Sequence, residues 1–324
     1  MNRNRTIVDE NGGKMYAYTW PRPGVAVDLL IFAYDPQERD VKILLGYRED
    51  ELRWGLIGRF IRSAAPENEW GKEAETIYDC IEKMTTLNCE LIFPQSPNET
   101  AVPRTINLYK HQNEKPFLIP LEPRDEIERD KGRKDHDGDD VKYRIISLPF
   151  ICFARPSELF EPIYKNYRWV SLVKVLSDND LTIREPIPPF EKKRNITPYS
   201  SYNKNEATFS CILSRDHKKV FNTSVEMVRQ RLRSTPFGRE MLDDEFRMLD
   251  LQMIYQCLLG RKMEASNFRK SFVGRYGKQP EANVVIISEK GKDPTATHRP
   301  ADMCRFNHEV YDYYCQTNSF AFSG

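Results

Sequence analysis

The sequence predicts an α/β protein of two domains, a mixed α/β domain followed by a smaller helical domain that ends in a strand hairpin. Three features indicate this. Apolar runs typical of strands accompany one amphipathic helix in the first half of the chain. A polar, proline-rich stretch at 178–206 interrupts that pattern, and two helices joined by a tight glycine turn follow it. At 324 residues the chain is long enough for both domains.

The composition excludes a strong overall attraction to nucleic acid or anionic lipid. Because the formal net charge is +1, any DNA affinity must come from a local patch. Apolar runs of 18 residues and a signal-peptide core are both absent, so we expect a cytoplasmic protein with no membrane association. The seven scattered cysteines form no C-x-x-C pair and indicate neither a disulfide framework nor a zinc site.

The first domain opens with a predicted strand hairpin, VAVDLLIFAYD at 25–35 and VKILLGYR at 41–48. A helix is predicted over 72–87, with an apolar stripe of Ala74, Ile77, Tyr78, Ile81 and Met84. Three further strands are predicted at 90–95, 144–154 and 167–175. Between them, residues 96–142 are so polar and charged that they predict a mobile loop.

The second domain is centred on two helices joined by a glycine. Gly260 is predicted to end a helix whose apolar face consists of Met248, Leu251, Ile254, Tyr255 and Leu258. The inner face of the next, short helix is predicted to contain Ala265, Phe268 and Phe272. An earlier amphipathic helix carries Phe221, Val225, Val228 and Leu232.

The short second helix is predicted to enter a DNA major groove. Residues 261–278 contain six Lys and Arg and a single acid, Glu264. Asparagine and arginine facing outward from such a helix suit base edges, and lysines suit phosphates. The side chains placed to reach DNA are Lys262, Ser266, Asn267, Arg269, Lys270 and Arg275. The alternative is a small helical domain whose basic face is merely solvated.

Two strands complete the order helix, helix, hairpin that is typical of a winged helix. NVVIIS at 283–288 and DMCRF at 302–306 flank the loop EKGKDPTATHRPA. We expect the loop to touch backbone phosphates, mainly through His298 and Arg299, with Lys290 and Lys292 nearby. An ordinary exposed turn is the alternative.

Two parts of the sequence resemble a known family. The strand VAVDLLIFAYD, the turn LIGRFIR and the helix that follows resemble a Nudix domain. The stretch from STPFGREMLDDEF through LLGRK, NFRK and HRPADMCRF resembles the winged helix of the Nudix-related transcriptional regulators, which include repressors of NAD biosynthesis and of sugar catabolism. The resemblance implies a Nudix-like α/β/α sandwich with a mixed sheet, followed by a C-terminal winged helix-turn-helix domain.

The resemblance also implies a division of the chain. A degenerate Nudix-like sensor domain would span 1–177, with 96–142 as a charged insertion. A polar, proline-containing linker would span 178–212. The connecting helix and the winged helix would span 213–315, and 316–324 would form a tail.

The resemblance also identifies a catalytic motif that is incomplete in this chain. Nudix hydrolases hold Mg²⁺ against a diphosphate with three glutamates on one helix face. With Ile81 and Leu87 on the motif's aliphatic positions, the three carboxylate positions hold Cys80, Lys83 and Met84. A lysine and a methionine do not bind a hard divalent cation. We therefore expect no metal, no cofactor and no catalytic residue, and we expect that the protein is not an enzyme.

A second register of the motif leaves residual metal binding open. Shifting the alignment by one residue places Asp79 and Glu82 on carboxylate positions, although Lys83 still fills the third. More simply, Glu75, Asp79 and Glu82 form the solvated face of the helix opposite its apolar stripe.

Loss of the metal with retention of the scaffold predicts a ligand sensor. In the family, the pocket between the hairpin and the helix accepts a phosphorylated nucleotide such as ADP-ribose, or a sugar. Arginines suit phosphate and sugar oxygens, and tryptophan suits a base or sugar face. The residues expected near the ligand are Arg48, Trp54, Arg59 and Arg62. The alternative is that these arginines pair with acids such as Glu49, Asp50 and Glu51.

The sequence thus predicts a DNA-binding transcriptional regulator with a catalytically inactive, Nudix-like sensing domain. Its expected partners are double-stranded DNA, a nucleotide or sugar effector, and a second copy of the chain, because a two-fold dimer matches a palindromic operator. The alternatives are a divergent Nudix hydrolase that acts on a nucleoside diphosphate derivative, and a winged-helix interaction protein that does not bind DNA.

Overall fold

The structure of the protein is a computed structural model. It describes residues 5–8, 14–17, 23–48, 53–62, 74–90, 101–110, 115–125, 144–159, 164–177, 181–186, 200–203, 206–211, 213, 216–273, 283–292, 301–320 and 322. Within 5–8, 14–17, 181–186, 200–203 and 206–211, only the course of the backbone is described.

The first half of the chain is a mixed α/β unit. Its elements, in order, are β1 (Arg5–Val8), β2 (Lys14–Ala17), β3 (Gly24–Asp35), β4 (Asp40–Arg48), β5 (Arg53–Gly55), β6 (Ile57–Phe60), α1 (Ile77–Thr85), β7 (Thr86–Glu90), β8 (Ala101–Thr105), β9 (Ile119–Pro120), β10 (Ile145–Ala154), β11 (Tyr167–Ser171) and α2 (Leu172–Ser177).

A mixed sheet organises this unit. Its path is β11-β4-β3-β10-β9, with β5 paired to β4 and β6 paired to β3. β3 and β10 run parallel, from Gly24 opposite Ile145 to Ala33 opposite Ala154, while β3 and β4 form the predicted antiparallel hairpin. Both central strands are long apolar runs because each is covered on its two faces. The predicted fold class is confirmed by this arrangement.

The two faces of the sheet support separate cores. On one face, α1 packs through Cys80, Ile81 and Met84 against Val27 and Leu29. The other face belongs to one continuous core that extends into the second half of the chain, where it includes Phe221, Val225, Leu251 and Ile254. The helices of the second half therefore form the second outer layer of the sandwich.

The structure differs from the prediction over three stretches of the first half. α1 begins at Ile77 rather than near 72, with Thr76 as its N-cap, and Ala74 and Tyr78 of the predicted apolar stripe are exposed. The predicted loop 96–142 contains β8 and β9, and it buries Ile106, Leu108, Ile119 and Leu121. The strand predicted at 167–175 ends at Ser171 and continues as α2.

The predicted linker also contains regular structure. β12 (Leu181–Pro186), β13 (Ser200–Asn203) and β14 (Glu206–Cys211) form an antiparallel sheet in the order β12-β14-β13. The polar, proline-rich composition of this segment is typical of a linker. Short antiparallel strands can nevertheless form there, because their ladder needs only hydrogen bonds between backbone groups.

The second half has the winged-helix order. It contains α3 (His217–Ser234), β15 (Phe246–Arg247), α4 (Met248–Leu259), α5 (Ala265–Phe272), β16 (Val285–Lys292), β17 (Asp302–Phe306) and α6 (His308–Thr317). The wing is a three-stranded sheet, β15-β17-β16. α6 was not predicted, and Phe320, three residues beyond its end in the predicted tail, is buried in the core. No helix in the described part of the chain is long and apolar enough to span a membrane.

Candidate DNA-binding surface and ligand site

The turn between α4 and α5 is fixed by backbone geometry and by three side chains. Gly260 has φ 67° and ψ 25°, the left-handed conformation that ends α4. Arg229 of α3 donates from Nε to the carbonyl of Leu258 at 2.7 Å, which satisfies a carbonyl in the last turn of α4. Glycine was the sequence signal for this turn, and the prediction is confirmed.

Two glutamines of α4 hold the segment that leads into α5. Gln252 Nε2 donates to the carbonyl of Met263 at 2.9 Å, and the amide of Met263 donates to Gln256 Oε1 at 2.9 Å. A single residue is thus bound by both its backbone groups to the preceding helix. A role for these two glutamines was not predicted from the sequence, although their spacing of four places both on one helix face.

The inner face of α5 is aromatic. Phe268 and Phe272 are buried, and both rings meet Tyr255 of α4 edge-on at 5.3 Å between centroids. Phe322 lies 4.8 Å from the same tyrosine ring. Ala265, predicted on the inner face, is instead exposed because it is the first residue of α5 and lies clear of the aromatic cluster.

The outer face of α5 presents the predicted polar residues to solvent. Ser266, Asn267, Arg269 and Lys270 are exposed, and so is Lys262 in the turn before the helix. Arg275, His298 and Arg299 lie outside the described residues. The helix is therefore oriented as a helix that binds the major groove must be, with its aromatic side inward and its basic side outward.

An acid that the sequence analysis left without a role caps α5. Glu264 accepts from the amides of Ser266 and Asn267 at 3.1 and 2.8 Å, and the Ser266 hydroxyl donates to it at 2.6 Å. The bond from the Ser266 side chain, followed by those from the two amides, lowers the pKa of Glu264 below its usual value. The hydroxyl of Ser266 is thus already engaged by a carboxylate, whereas Asn267 donates to the same carboxylate through its backbone amide.

The described part of the wing is held by an ion pair across its base. Lys292 Nζ lies 2.6 Å from Asp302 Oδ1, and this pairing lowers the pKa of Asp302. Gly291 has φ 76°, a backbone conformation that favours glycine as β16 approaches the wing loop. The side chain of Lys290 and the whole of 293–300 lie outside the described residues.

The four predicted ligand residues fall into two groups. Arg59 and Arg62 both bind Glu75 at the start of α1: Arg59 Nη2 lies 3.2 Å from Oε1, and the backbone amide of Arg62 donates to Oε2 at 3.0 Å. The expectation that Glu75 belongs to the solvated face of the helix is wrong, since its side chain is only 4% exposed.

Arg48 and Trp54 contact other groups than Glu75. Arg48 Nη2 donates to the carbonyl of Leu56 at 3.4 Å, beside the N-terminus of α3. Trp54 is only 4% exposed, and its ring lies 5.3 Å from that of Tyr47 in the core that extends to α3 and α4. The structure thus brings Arg59 and Arg62 together at Glu75, whereas Arg48 contacts Leu56 and Trp54 contacts Tyr47.

The residues aligned with the missing carboxylates have different surroundings. Cys80 and Met84 are buried against the sheet, with Sγ and Sδ 3.9 Å apart. Lys83 is exposed and extends back to Glu75, with Nζ 2.7 Å from Oε1. In the shifted register, Asp79 accepts from the amide and hydroxyl of Thr76 at 2.8 Å each, and these bonds lower its pKa. No three His, Cys, Asp or Glu side chains converge within the described ranges.

A buried polar contact joins the two halves of the chain. The Tyr34 hydroxyl of β3 donates to Asp250 Oδ1 of α4 at 3.2 Å, and Arg247 donates to both oxygens of the same carboxylate at 2.8 and 2.9 Å. Burial, followed by the charge of Asp250, raises the pKa of Tyr34. A cleft of about 190 Å³ opens at this seam, between Tyr34 and Pro36 on one side and Arg247 and Met303 on the other.

The chain thus combines an α/β/α sandwich with a winged helix whose second helix is basic and exposed, an arrangement that DNA-binding winged helices share. Residues 238–306 match the family model of the NrtR DNA-binding winged helix domain. The predicted resemblance to the Nudix-related regulators is confirmed by this match and by the architecture. No curated protein matches the chain.

Solved structures show the same architecture over most of the chain. NrtR of Shewanella oneidensis in complex with a 27mer DNA is 16% identical, covers 89% of this chain and 95% of its own, and gives a TM-score of 0.51. A second structure of Shewanella oneidensis NrtR is 17% identical, with the same coverage and TM-score. Its NUDIX domain complexed with ADP ribose is 14% identical, covers 64% of this chain and 90% of its own, and gives a TM-score of 0.33.

Proposed function

We propose that this chain is a transcriptional regulator in which the winged helix binds operator DNA and the Nudix-like domain senses a small anionic ligand. The observation that carries the proposal is the placement of α5. Gly260 and the two glutamines fix the helix, Phe268 and Phe272 bury one side of it, and Asn267, Arg269 and Lys270 are left on the exposed side. The match of this segment to a DNA-binding domain model supports the same conclusion.

The exposed residues divide by chemistry into base and phosphate contacts. Asn267 suits the paired donor and acceptor of adenine, and Arg269 suits guanine. Lys270 and Lys262 suit phosphates, and Arg275, His298 and Arg299 are proposed to hold the DNA backbone. Ser266 contributes less than expected, because its hydroxyl bonds to Glu264.

Charge reversal on α5 tests DNA binding directly. Fluorescence anisotropy would follow binding of a duplex recovered by gel shift from fragmented genomic DNA. The variant Arg269→Glu/Lys270→Glu should lose binding, because two phosphate- or base-directed cations become anions. A control, Lys110→Glu/Lys165→Glu, makes the same charge change at exposed positions of the first domain and should bind normally. Intact binding by the α5 variant in a folded protein would refute the proposal.

We propose further that the Nudix-like domain does not hydrolyse nucleotides. Cys80 and Met84 lie in the core, Lys83 carries a positive charge, and the Asp79 carboxylate is engaged by Thr76. Such a set offers no group of oxygen ligands for Mg²⁺. Turnover of ADP-ribose, NAD or nucleoside triphosphates with Mg²⁺ or Mn²⁺ at about 1 s⁻¹, the low end of typical enzyme rates, would instead support the divergent hydrolase.

The effector is proposed to be a phosphorylated nucleotide, with ADP-ribose as the first compound to test, or a sugar. Arg59 is the proposed contact, since guanidinium groups bind phosphate oxygens with charge-assisted hydrogen bonds. The NUDIX domain of the Shewanella protein, which was itself crystallised with ADP ribose, motivates the same choice. We also propose that the protein is a homodimer, because a palindromic operator matches two-fold symmetry. It would act in the cytoplasm, where a bacterial-type operator is located.

A further inference from the structure

One carboxylate at the start of α1 holds two cations. Lys83 Nζ and Arg59 Nη2 lie 2.7 and 3.2 Å from the same oxygen, Oε1 of Glu75. The other oxygen accepts from the amide of Arg62. Glu75 is 4% exposed at its side chain, whereas Arg59 is 25% and Lys83 is 56% exposed. The anion is therefore covered, and the two cations face outward.

The cluster of Arg59, Glu75 and Lys83 has positive charge and hydrogen-bonding capacity to spare. Two cations against one carboxylate leave a net charge of +1. The bond from Lys83, followed by that from the amide of Arg62, lowers the pKa of Glu75 to about 2, so the carboxylate stays ionised near neutral pH. An ammonium has three N–H donors and a guanidinium has five, so both groups can bind a second acceptor while they keep Glu75.

A divalent metal does not fit this place. Lys83 occupies a carboxylate position of the Nudix motif in both registers of the alignment, and its ammonium would repel a cation brought to the same oxygens. Glu75 has both its oxygens bound, and Asp79 has Oδ2 bound to Thr76. Glu82 of the exposed side remains, and a single carboxylate does not hold Mg²⁺ in a protein cage.

We propose that Lys83 and Arg59 take the place of the metal, so that this domain binds a phosphate or diphosphate group without any divalent cation. The positive charge that a Nudix site usually takes from solution is here part of the chain. Charge-assisted N–H bonds to phosphate oxygens supply the contacts that a metal would otherwise supply. The inference rests on the proposed sensing function and specifies how its ligand is held.

Isothermal titration calorimetry of the full chain tests this with two probes, ADP-ribose and inorganic pyrophosphate, each in EDTA and in Mg²⁺. Wild type should bind in EDTA, with an affinity that Mg²⁺ does not raise. Lys83→Ala should weaken binding about tenfold or more in EDTA, the usual loss for a charge-assisted hydrogen bond. Lys83→Glu should lose binding in EDTA and regain it in Mg²⁺, because it replaces the ammonium with a metal ligand.

A matched control uses another ammonium held by carboxylates. Lys42 lies 2.8 Å from both Asp35 and Glu38, near the far end of β3. Val27, which pairs with Arg59, and Asp35 are eight residues apart along that strand, or about 26 Å. Lys42→Ala should therefore leave affinity for both probes unchanged.

Each remaining outcome would overturn the inference. Wild-type binding that requires Mg²⁺ would show a metal site and would leave the sensing function standing. Binding unchanged by Lys83→Ala would reduce the cluster to an ion pair that joins α1 to β6. Absence of binding by either probe, with and without Mg²⁺, would remove the phosphate site, while the anisotropy assay on α5 judges DNA binding independently.

Discussion

The buried hydrogen bond from the Tyr34 hydroxyl to Asp250 should stabilise the packing of the first half of the chain against the second. Tyr34 is fully buried in β3, and Asp250 is 5% exposed in the first turn of α4. Tyr34→Phe removes a single hydroxyl and keeps the ring in place. Hydrogen bonds to charged groups contribute about 1.5–3 kcal/mol. We expect about 1–2 kcal/mol here, because the bond is 3.2 Å long and Arg247 retains both its bonds to the carboxylate.

Urea denaturation, followed by circular dichroism and by tryptophan fluorescence, measures this loss. Coincident transitions from the two probes are required before a free energy of unfolding is assigned. Tyr78→Phe serves as the control, since Tyr78 is 43% exposed and its hydroxyl should contribute little. A double-mutant cycle of Tyr34→Phe with Asp250→Ala should give a coupling energy of about 1 kcal/mol. Additivity within about 0.3 kcal/mol would refute a stabilising contact across the seam.

Three further expectations concern the turn before α5, the ion-pair cluster and DNA reading. Gln252→Ala and Gln256→Ala should each lower the free energy of unfolding by about 1 kcal/mol, which denaturation measures. Each should also weaken operator binding in the protein that remains folded, because one of the two bonds that position α5 is lost, and anisotropy measures this. Glu75→Gln should have the same denaturation midpoint as wild type near pH 2 and a lower one as the pH rises through 4.5. The reason is that folding lowers the pKa of Glu75 from 4.5 to about 2, so the ionised carboxylate adds stability that builds up between these pH values and is complete above 4.5. Asn267→Ala should weaken specific binding by about 1–3 kcal/mol, whereas Lys262→Ala should weaken all DNA equally and lower the salt slope by about one unit in anisotropy titrations.

The parts of the fold that sequence predicted well depend on local geometry. Gly260 ended α4 where the left-handed conformation requires glycine, and Phe268 and Phe272, four residues apart, fixed the buried side of α5. The long apolar runs at 25–35 and 144–154 predicted strands, and both are strands of the central sheet. In each case, neighbouring residues along the chain contain the whole signal.

The parts that sequence missed depend on pairing between distant residues. Residues 101–125 look polar, yet β8 pairs with β7, and Leu108 and Ile119 fill the core from a segment with little periodicity. The ring of Phe320, which lies in the predicted tail 316–324, packs on that of Phe272 at 5.4 Å between centroids. These elements form because of contacts with distant parts of the chain, which the local sequence pattern does not contain.

The candidate sites show the same division. Exposure of Asn267, Arg269 and Lys270 followed from helix periodicity. The ion pairs of Glu75 did not, because Arg59 lies 16 residues away and no spacing rule joins a turn to the start of a helix. The predicted grouping of Arg48 with Arg59 followed from the resemblance to a Nudix domain. In the structure the two arginines bind different groups, the carbonyl of Leu56 and the carboxylate of Glu75.

Thermodynamic linkage between DNA and ADP-ribose binding tests whether the protein is a ligand-sensing regulator. Operator affinity would be measured by anisotropy with and without saturating ADP-ribose in EDTA, with saturation verified by calorimetry. A ligand-sensing regulator requires that the dissociation constant for DNA change, by about 5- to 150-fold for a typical coupling of 1–3 kcal/mol, and that DNA change the affinity for ADP-ribose by the same factor. A dissociation constant for DNA that stays unchanged while ADP-ribose is bound would show that the protein does not regulate DNA binding through this ligand.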